Sequence, residues 1–90
     1  MAETREFIIQ NKLGLHARAS ALFVQTANRF KSEVFVEKDG QKVNGKSIMG
    51  VMMLAAAKGS VIKVEVNGSD STEALNEIAN LIDNKFEEDK

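Results

Sequence analysis

One histidine stands in this chain, His16, within the string Gly14-Leu15-His16-Ala17-Arg18. The string joins a loop to the first turn of a predicted helix. Free backbone N–H groups and the positive end of the helix dipole make a helix N-terminus a natural anion site. Arg18, two residues on, carries a planar fork of donors suited to phosphoryl oxygens. A lone imidazole, a helix N-terminus and a guanidinium together suit transient phosphorylation of the ring, with the imidazole as nucleophile and the other groups holding the phosphoryl charge. The same residues also fit a plain structural role in which His16 caps the helix and Arg18 is solvated. Short His-x-Arg strings are common, and spacing alone does not separate the two.

The elements that must position these residues are legible from periodicity. Arg5 to Gln10, with Phe7-Ile8-Ile9 at its centre, reads as a first strand, and Asn11-Lys12-Leu13-Gly14 as a loop. From Ala17 to about Phe30, apolar Ala17, Ala21, Val24 and Phe23, Ala27, Phe30 recur at spacings of three and four, which predicts an amphipathic helix. Glu33–Glu37 is β-branched and aromatic, and Asp39-Gly40 predicts a tight turn returning through Gln41-Lys42-Val43. Ser47 stands where an N-cap belongs, ahead of a short helix from Ile48 to Leu54. Val61 to Val66 alternates over its last five residues as a half-buried strand does. The last helix opens at Asp70 with Glu73 three residues on, a capping-box-like pair, and Leu75, Ile78, Ala79, Ile82 and Phe86 mark one face. The order βαββαβα with a tight hairpin favours an α+β open-faced sandwich, a four-stranded antiparallel sheet covered on one face by three helices.

Ninety residues fit one compact domain, 1–90. With no cysteine the chain has no disulfide, thiolate nucleophile or sulfur ligand, and one histidine excludes a multi-histidine metal site, so neither a metal nor a cofactor is expected. The net charge of −1 gives no global attraction to nucleic acid or an anionic membrane. The longest uncharged run, Ser47 to Ala57, is well short of the roughly 20 apolar residues that span a bilayer. The first residues lack a signal-peptide pattern, and with the absence of cysteine this points to a soluble cytoplasmic protein. Charge is uneven, +2 over residues 1–45 and −3 over 46–90. The acidic end reads as a solvated helix face rather than part of a ligand site.

Asn11-Lys12-Leu13-Gly14-Leu15-His16-Ala17-Arg18-Ala19-Ser20, taken with Lys46-Ser47-Ile48-Met49-Gly50-Val51-Met52, resembles the HPr family of histidine-containing phosphocarriers. The resemblance covers essentially the whole chain. It implies that His16 is phosphorylated at Nδ1 by phosphorylated Enzyme I and passes the group to EIIA domains of sugar permeases in the phosphoenolpyruvate-dependent phosphotransferase system. Arg18 would orient and neutralise the phosphoryl group. Ser47 matches a position phosphorylated in some bacteria by HPr kinase/phosphorylase, and Ala17, Ala21, Ile48, Met49 and Met52 would form the docking surface. Val51, Leu54 and Met53 read as core. Such a carrier needs no deep pocket, since each partner supplies half of the transfer site. It is expected to be a monomer and not an autonomous enzyme.

One departure is Ala19, where family members usually carry proline. Alanine is an excellent helix former and keeps its N–H, so the site geometry is expected to survive. The nearest alternative is the nitrogen-related branch of the family, which Asn11-Lys12-Leu13-Gly14 and Phe86-Glu87-Glu88-Asp89 also resemble. An RNA-binding α+β domain fits poorly, because aromatics are 6% and no basic-aromatic-glycine string lies on a strand. No nucleotide-binding glycine loop, catalytic triad or acid/base pair around His16 is visible in the sequence to support a self-contained enzyme.

Overall fold

The computed structural model describes residues 2–88. In chain order it comprises β1 (Ala2–Ile8), α1 (Ala17–Asn28), β2 (Glu33–Lys38), β3 (Gln41–Asn44), α2 (Ile48–Met53), β4 (Val61–Asn67) and α3 (Ser71–Asp83). The strands form one fully antiparallel sheet in the order β1-β4-β2-β3. The helices cover one face of it, giving the α+β open-faced sandwich.

Alternation along the strands decides which side faces the helices. Phe7 and Ile9, Val34 and Val36, and Ile62, Val64 and Val66 all point inward and are buried. The register sets Val34 opposite Val66 and Val36 opposite Val64, so β-branched side chains meet across the strands on the core face. β1 begins earlier than the apolar run suggests, because Ala2 already pairs with Asn67. The hairpin turns at Asp39 and Gly40, both with positive φ, as a type I′ turn demands.

Two helical faces differ from the sequence reading. In α1 the buried stripe is Ala19, Ser20, Phe23, Val24 and Ala27, while Ala17 is exposed and Ala21 and Phe30 are half-buried. A polar residue enters the core because the Ser20 hydroxyl donates to the Leu15 carbonyl at 3.1 Å, which removes the cost of burying it. In α2 only Val51 is buried; Leu54, just beyond it, is also buried, but Met53 is 65% exposed and not a core residue. A helix of six residues lying on its neighbours has one narrow inner face, and Met53 falls outside it.

The end of α3 also differs. Phe86 is buried but not helical, because α3 stops at Asp83 and Lys85, Phe86 and Glu87 take positive φ of 56°, 52° and 56°. At the other end Asp70 makes no side-chain cap to α3. Its carboxylate instead accepts the N–H groups of Lys31 at 2.9 Å and Ser32 at 3.0 Å, together with the Ser32 hydroxyl. Three donors in the α1–β2 connection outcompete one helix N–H. They hold the Asp70 carboxyl below the usual carboxylate range, with the Ser32 hydroxyl the largest cause.

Candidate functional site

The loop between β1 and α1 is built to be rigid. Gly14 has φ +68°, and a Cβ there would stand 2.4 Å from the Ala56 carbonyl oxygen, so glycine is required both by conformation and by space. Asn11 is fully buried and donates through Nδ2 to the Gly14 carbonyl at 2.8 Å. Leu15 N–H donates to the Ala56 carbonyl at 2.9 Å, which ties the loop to the chain leaving α2. The residue that follows, His16, is thereby delivered to the first turn of α1.

His16 is the N-cap of that helix, with extended backbone and its Nδ1 accepting the Arg18 N–H at 3.2 Å. The side chain is 31% exposed. Since Nδ1 accepts a hydrogen bond, it carries the lone pair, and the neutral ring bears its proton on Nε2. A lone pair on a partly exposed ring at a helix N-terminus has the makings of a nucleophile placed where an anion is stabilised. Helix capping and nucleophilic attack would draw on the same lone pair, so the bond from the Arg18 N–H has to break before Nδ1 can take up a group. Arg18 is exposed on the same turn, and its contact with His16 runs through the backbone rather than the guanidinium. Ala19 is buried within an undistorted first turn.

Sequence reasoning placed no carboxylate at the ring, yet Glu88 lies there. Its Oε1 accepts Lys12 N–H at 2.6 Å, and its Oε2 accepts Leu13 N–H at 3.1 Å and Asn11 Nδ2 at 3.0 Å. The same Oε2 is 3.6 Å from His16 Nε2, and the Glu88 side chain is only 14% exposed. The Asn11 amide is the main cause that holds the Glu88 carboxyl below its ordinary range; partial burial opposes it, and the two loop N–H groups and His16 add to it. The acidic end of the chain is thus only partly a solvated face. No local signal could have shown this, since the contact joins opposite ends of the sequence.

α2 packs against α1. Its outer side carries Ile48, Met49, Met52 and Met53, all exposed, with Met49 at 74%. Leu13, which the sequence reading passed over, is also exposed in the loop beside the ring. An apolar residue between Lys12 and Gly14 in a turn was the available signal. Ala17 lies exposed on the first turn of α1, and Ala21 is half-buried one turn on. Ser47 caps α2, its hydroxyl accepting Gly50 N–H at 3.0 Å. Among the described residues no group of histidine, cysteine and carboxylate side chains could hold a metal, and no helix is long and apolar enough to cross a membrane.

The molecule is a small open-faced sandwich whose one histidine caps its first helix and is partly exposed. A family model described as PTS HPr component phosphorylation site matches residues 3–84. Phosphocarrier protein HPr of Neisseria meningitidis serogroup A is 61% identical over 80 residues, covering 89% of this chain and 90% of that one. The crystal structure of HPr-C-His from Thermoanaerobacter tengcongensis superposes with a TM-score of 0.92 at 50% identity, over 96% of this chain and 97% of the other. The structure of Crh, described as a Bacillus subtilis catabolite repression protein with a swapped dimer, matches at a TM-score of 0.75 and 48% identity, over 90% and 93%. The chain belongs to the HPr family of phosphocarriers of the phosphotransferase system.

Proposed function

We propose that His16 Nδ1 accepts a phosphoryl group from phosphorylated Enzyme I and passes it to EIIA domains of sugar permeases. The observation that carries this reading is the ring itself, partly exposed at the N-terminus of α1 with its Nδ1 lone pair held by the Arg18 N–H. On phosphorylation that N–H is free to turn to a phosphoryl oxygen, and the Arg18 guanidinium supplies the balancing charge. In-line transfer between two histidines then depends on positioning and charge rather than on a cavity. The exposed α2 residues Ile48, Met49 and Met52, with Ala17 and Ala21 on α1, form the docking surface, and methionine suits a surface that meets several partners.

Ser47 is a regulatory phosphosite in this reading. A phosphate there sits at the start of α2 and adds about −1.5 to −2 charge beside the docking surface. Crh, described as a catabolite repression protein, supports the link to carbon regulation. The names of the relatives, HPr and Crh, favour the sugar branch over the nitrogen branch. The protein acts in the cytoplasm as a carrier on which other enzymes work. A monomeric state fits poorly with relatives described as dimers, so sedimentation at working concentration belongs in any partner assay.

The test is incubation with phosphoenolpyruvate and Enzyme I, followed by intact and peptide mass spectrometry. An acid-labile, alkali-stable phosphoryl group on the His16 peptide is expected, with none when Enzyme I is omitted. Labelling elsewhere, or of the His16→Ala protein, overturns the assignment.

A further inference from the structure

All the sulfur in the chain is thioether, because it has four methionines and no cysteine. Apart from Met1, the methionines stand together on α2 as Met49, Met52 and Met53. The residues of this segment that face the core, Val51 and Leu54, carry no sulfur, and the three thioethers face outward. Met49 has Met52 three residues on and Met53 four residues on, so the three share one side of the helix. Exposure falls from 74% at Met49 through 65% at Met53 to 40% at Met52.

A thioether is soft and polarisable, which suits a surface that adapts to partners, and its exposed lone pairs are open to two-electron oxidants. With no thiol in the chain to react first, oxidation by a peroxide falls on the thioethers. The sulfur lone pair takes one oxygen of hydrogen peroxide. The S–O bond forms as the O–O bond breaks, the sulfur loses two electrons, and the leaving hydroxide takes the proton from the transferred oxygen to become water. The product is a sulfoxide, a polar acceptor where an apolar group stood. A partner that packs on it must strip water from the S–O dipole with no donor placed to meet it.

We propose that Met49 is a reversible oxidation site, with Met53 next in order, and that its sulfoxide weakens docking of Enzyme I on α2 while leaving the chemistry at His16 intact. The proposal deepens the carrier reading and rests on α2 being the docking surface. The polar contacts of the His16 ring come from Arg18 and Glu88, and no α2 residue is among them. The loss therefore falls on encounter and not on transfer. Return needs two electrons from a dithiol, as a methionine sulfoxide reductase supplies them: the S–O bond breaks, the oxygen leaves as water and the dithiol closes to a disulfide. The modification adds a dipole and no net charge, so it acts through desolvation at any ionic strength. A phosphate on Ser47 would act through charge and be screened by salt.

The experiment treats the intact protein with limiting hydrogen peroxide, maps each sulfoxide by peptide mass spectrometry and separates the singly oxidised fraction. Transfer from phosphorylated Enzyme I then reads kcat and KM before oxidation, after it, and after reduction by methionine sulfoxide reductase with dithiothreitol. Met49→Leu and Met49→Ala accompany the parent, and thermal melts report the fold. We expect oxidation in the order Met49, Met53, Met52, with KM raised on the order of tenfold, kcat nearly unchanged and the original KM restored on reduction. Met49→Leu, which has no thioether there, is expected to hold its KM through the same treatment. Oxidation of Met52 ahead of Met49, a KM that does not move in the oxidised protein, or an equal rise in Met49→Leu overturns the proposal. So does a loss that the melts trace to unfolding. Failure of the reading beneath it is distinct: unoxidised Met49→Ala with the parent's KM removes α2 as the docking surface, and no transfer to the unoxidised parent removes the carrier role.

Discussion

The Arg18 N–H donates to His16 Nδ1 at 3.2 Å, which makes the helix-capping atom of His16 the same atom that the carrier reading phosphorylates. Replacing it therefore has two measurable effects. On the proposed reading His16→Ala is expected to abolish phosphoryl acceptance, and it also removes a helix cap, at an expected cost of about 0.5–2 kcal/mol. Urea unfolding reads the second effect. A stability equal to the parent protein would show that the Nδ1 contact does no capping.

Gly14 is the rigid point from which His16 is delivered. Gly14→Ala places a Cβ against the Ala56 carbonyl and the Ala57 Cα, in a left-handed backbone. The expected loss is about 2 kcal/mol or more, from strain and overpacking together. Thermal unfolding measures it, at about 4–8 °C per kcal/mol for a domain of this size. An unchanged melting temperature would contradict the close packing of the loop on the segment after α2.

Ser47 separates capping from charge. Ser47→Ala loses the hydroxyl that accepts Gly50 N–H and destabilises by about 1 kcal/mol. Ser47→Asp keeps a capping side chain, so stability stays close to the parent. The added negative charge is expected to weaken binding to Enzyme I. Equal affinities for Ser47→Asp and the parent, by calorimetry, would remove the electrostatic account of regulation.

Met49 is expected to matter to partners and not to folding. It is 74% exposed, so Met49→Ala should change stability by no more than about 0.5 kcal/mol. Titration against Enzyme I is expected to show weaker binding with the fold intact. Unaltered binding would place the docking surface elsewhere.

Acid should unfold the protein through three carboxylates. Hydrogen bonds from Thr72 and Ser71 hold Glu3 below its ordinary range, the Ser32 hydroxyl and the Lys31 N–H do the same for Asp70, and Asn11 does so for Glu88. Below the ordinary carboxylate value of about 4, the unfolded chain binds more protons than the folded one, so stability rises with pH through that window and levels off above it. Their contribution is fully present above about pH 4 and is lost as the pH falls through the lowered values. Asp70→Asn should lower stability at neutral pH and flatten the acid limb of melting temperature against pH. A limb as steep as the parent's would show that Asp70 titrates alike in both states.

What was legible in the sequence was local. The strand alternation at Val61–Val66, the Asp39-Gly40 turn, the Ser47 cap and the helix carrying Leu75, Ile78, Ala79 and Ile82 each depend on neighbours within a few residues, where periodicity and turn chemistry act. From those elements the α+β sandwich followed, and the string around His16 placed it at a helix N-terminus. Contacts between distant segments were not legible. Asp70 looked like the cap of α3 because its own helix is adjacent in sequence, but the fold brings Lys31 and Ser32 within reach and their donors win. Met53 reads as core because it sits in an apolar run, but the face of α2 that turns inward is the one carrying Val51 and Leu54, which leaves Met53 exposed. Phe86 fitted the α3 periodicity, yet it enters the core from a left-handed turn that core burial and the Glu88 bonds sustain together. Amino-acid order by itself determined the elements and set His16 at a helix N-terminus; tertiary structure alone decided that a carboxylate from a distant part of the chain stands beside it, because a contact depends on distance in space and not on separation along the chain.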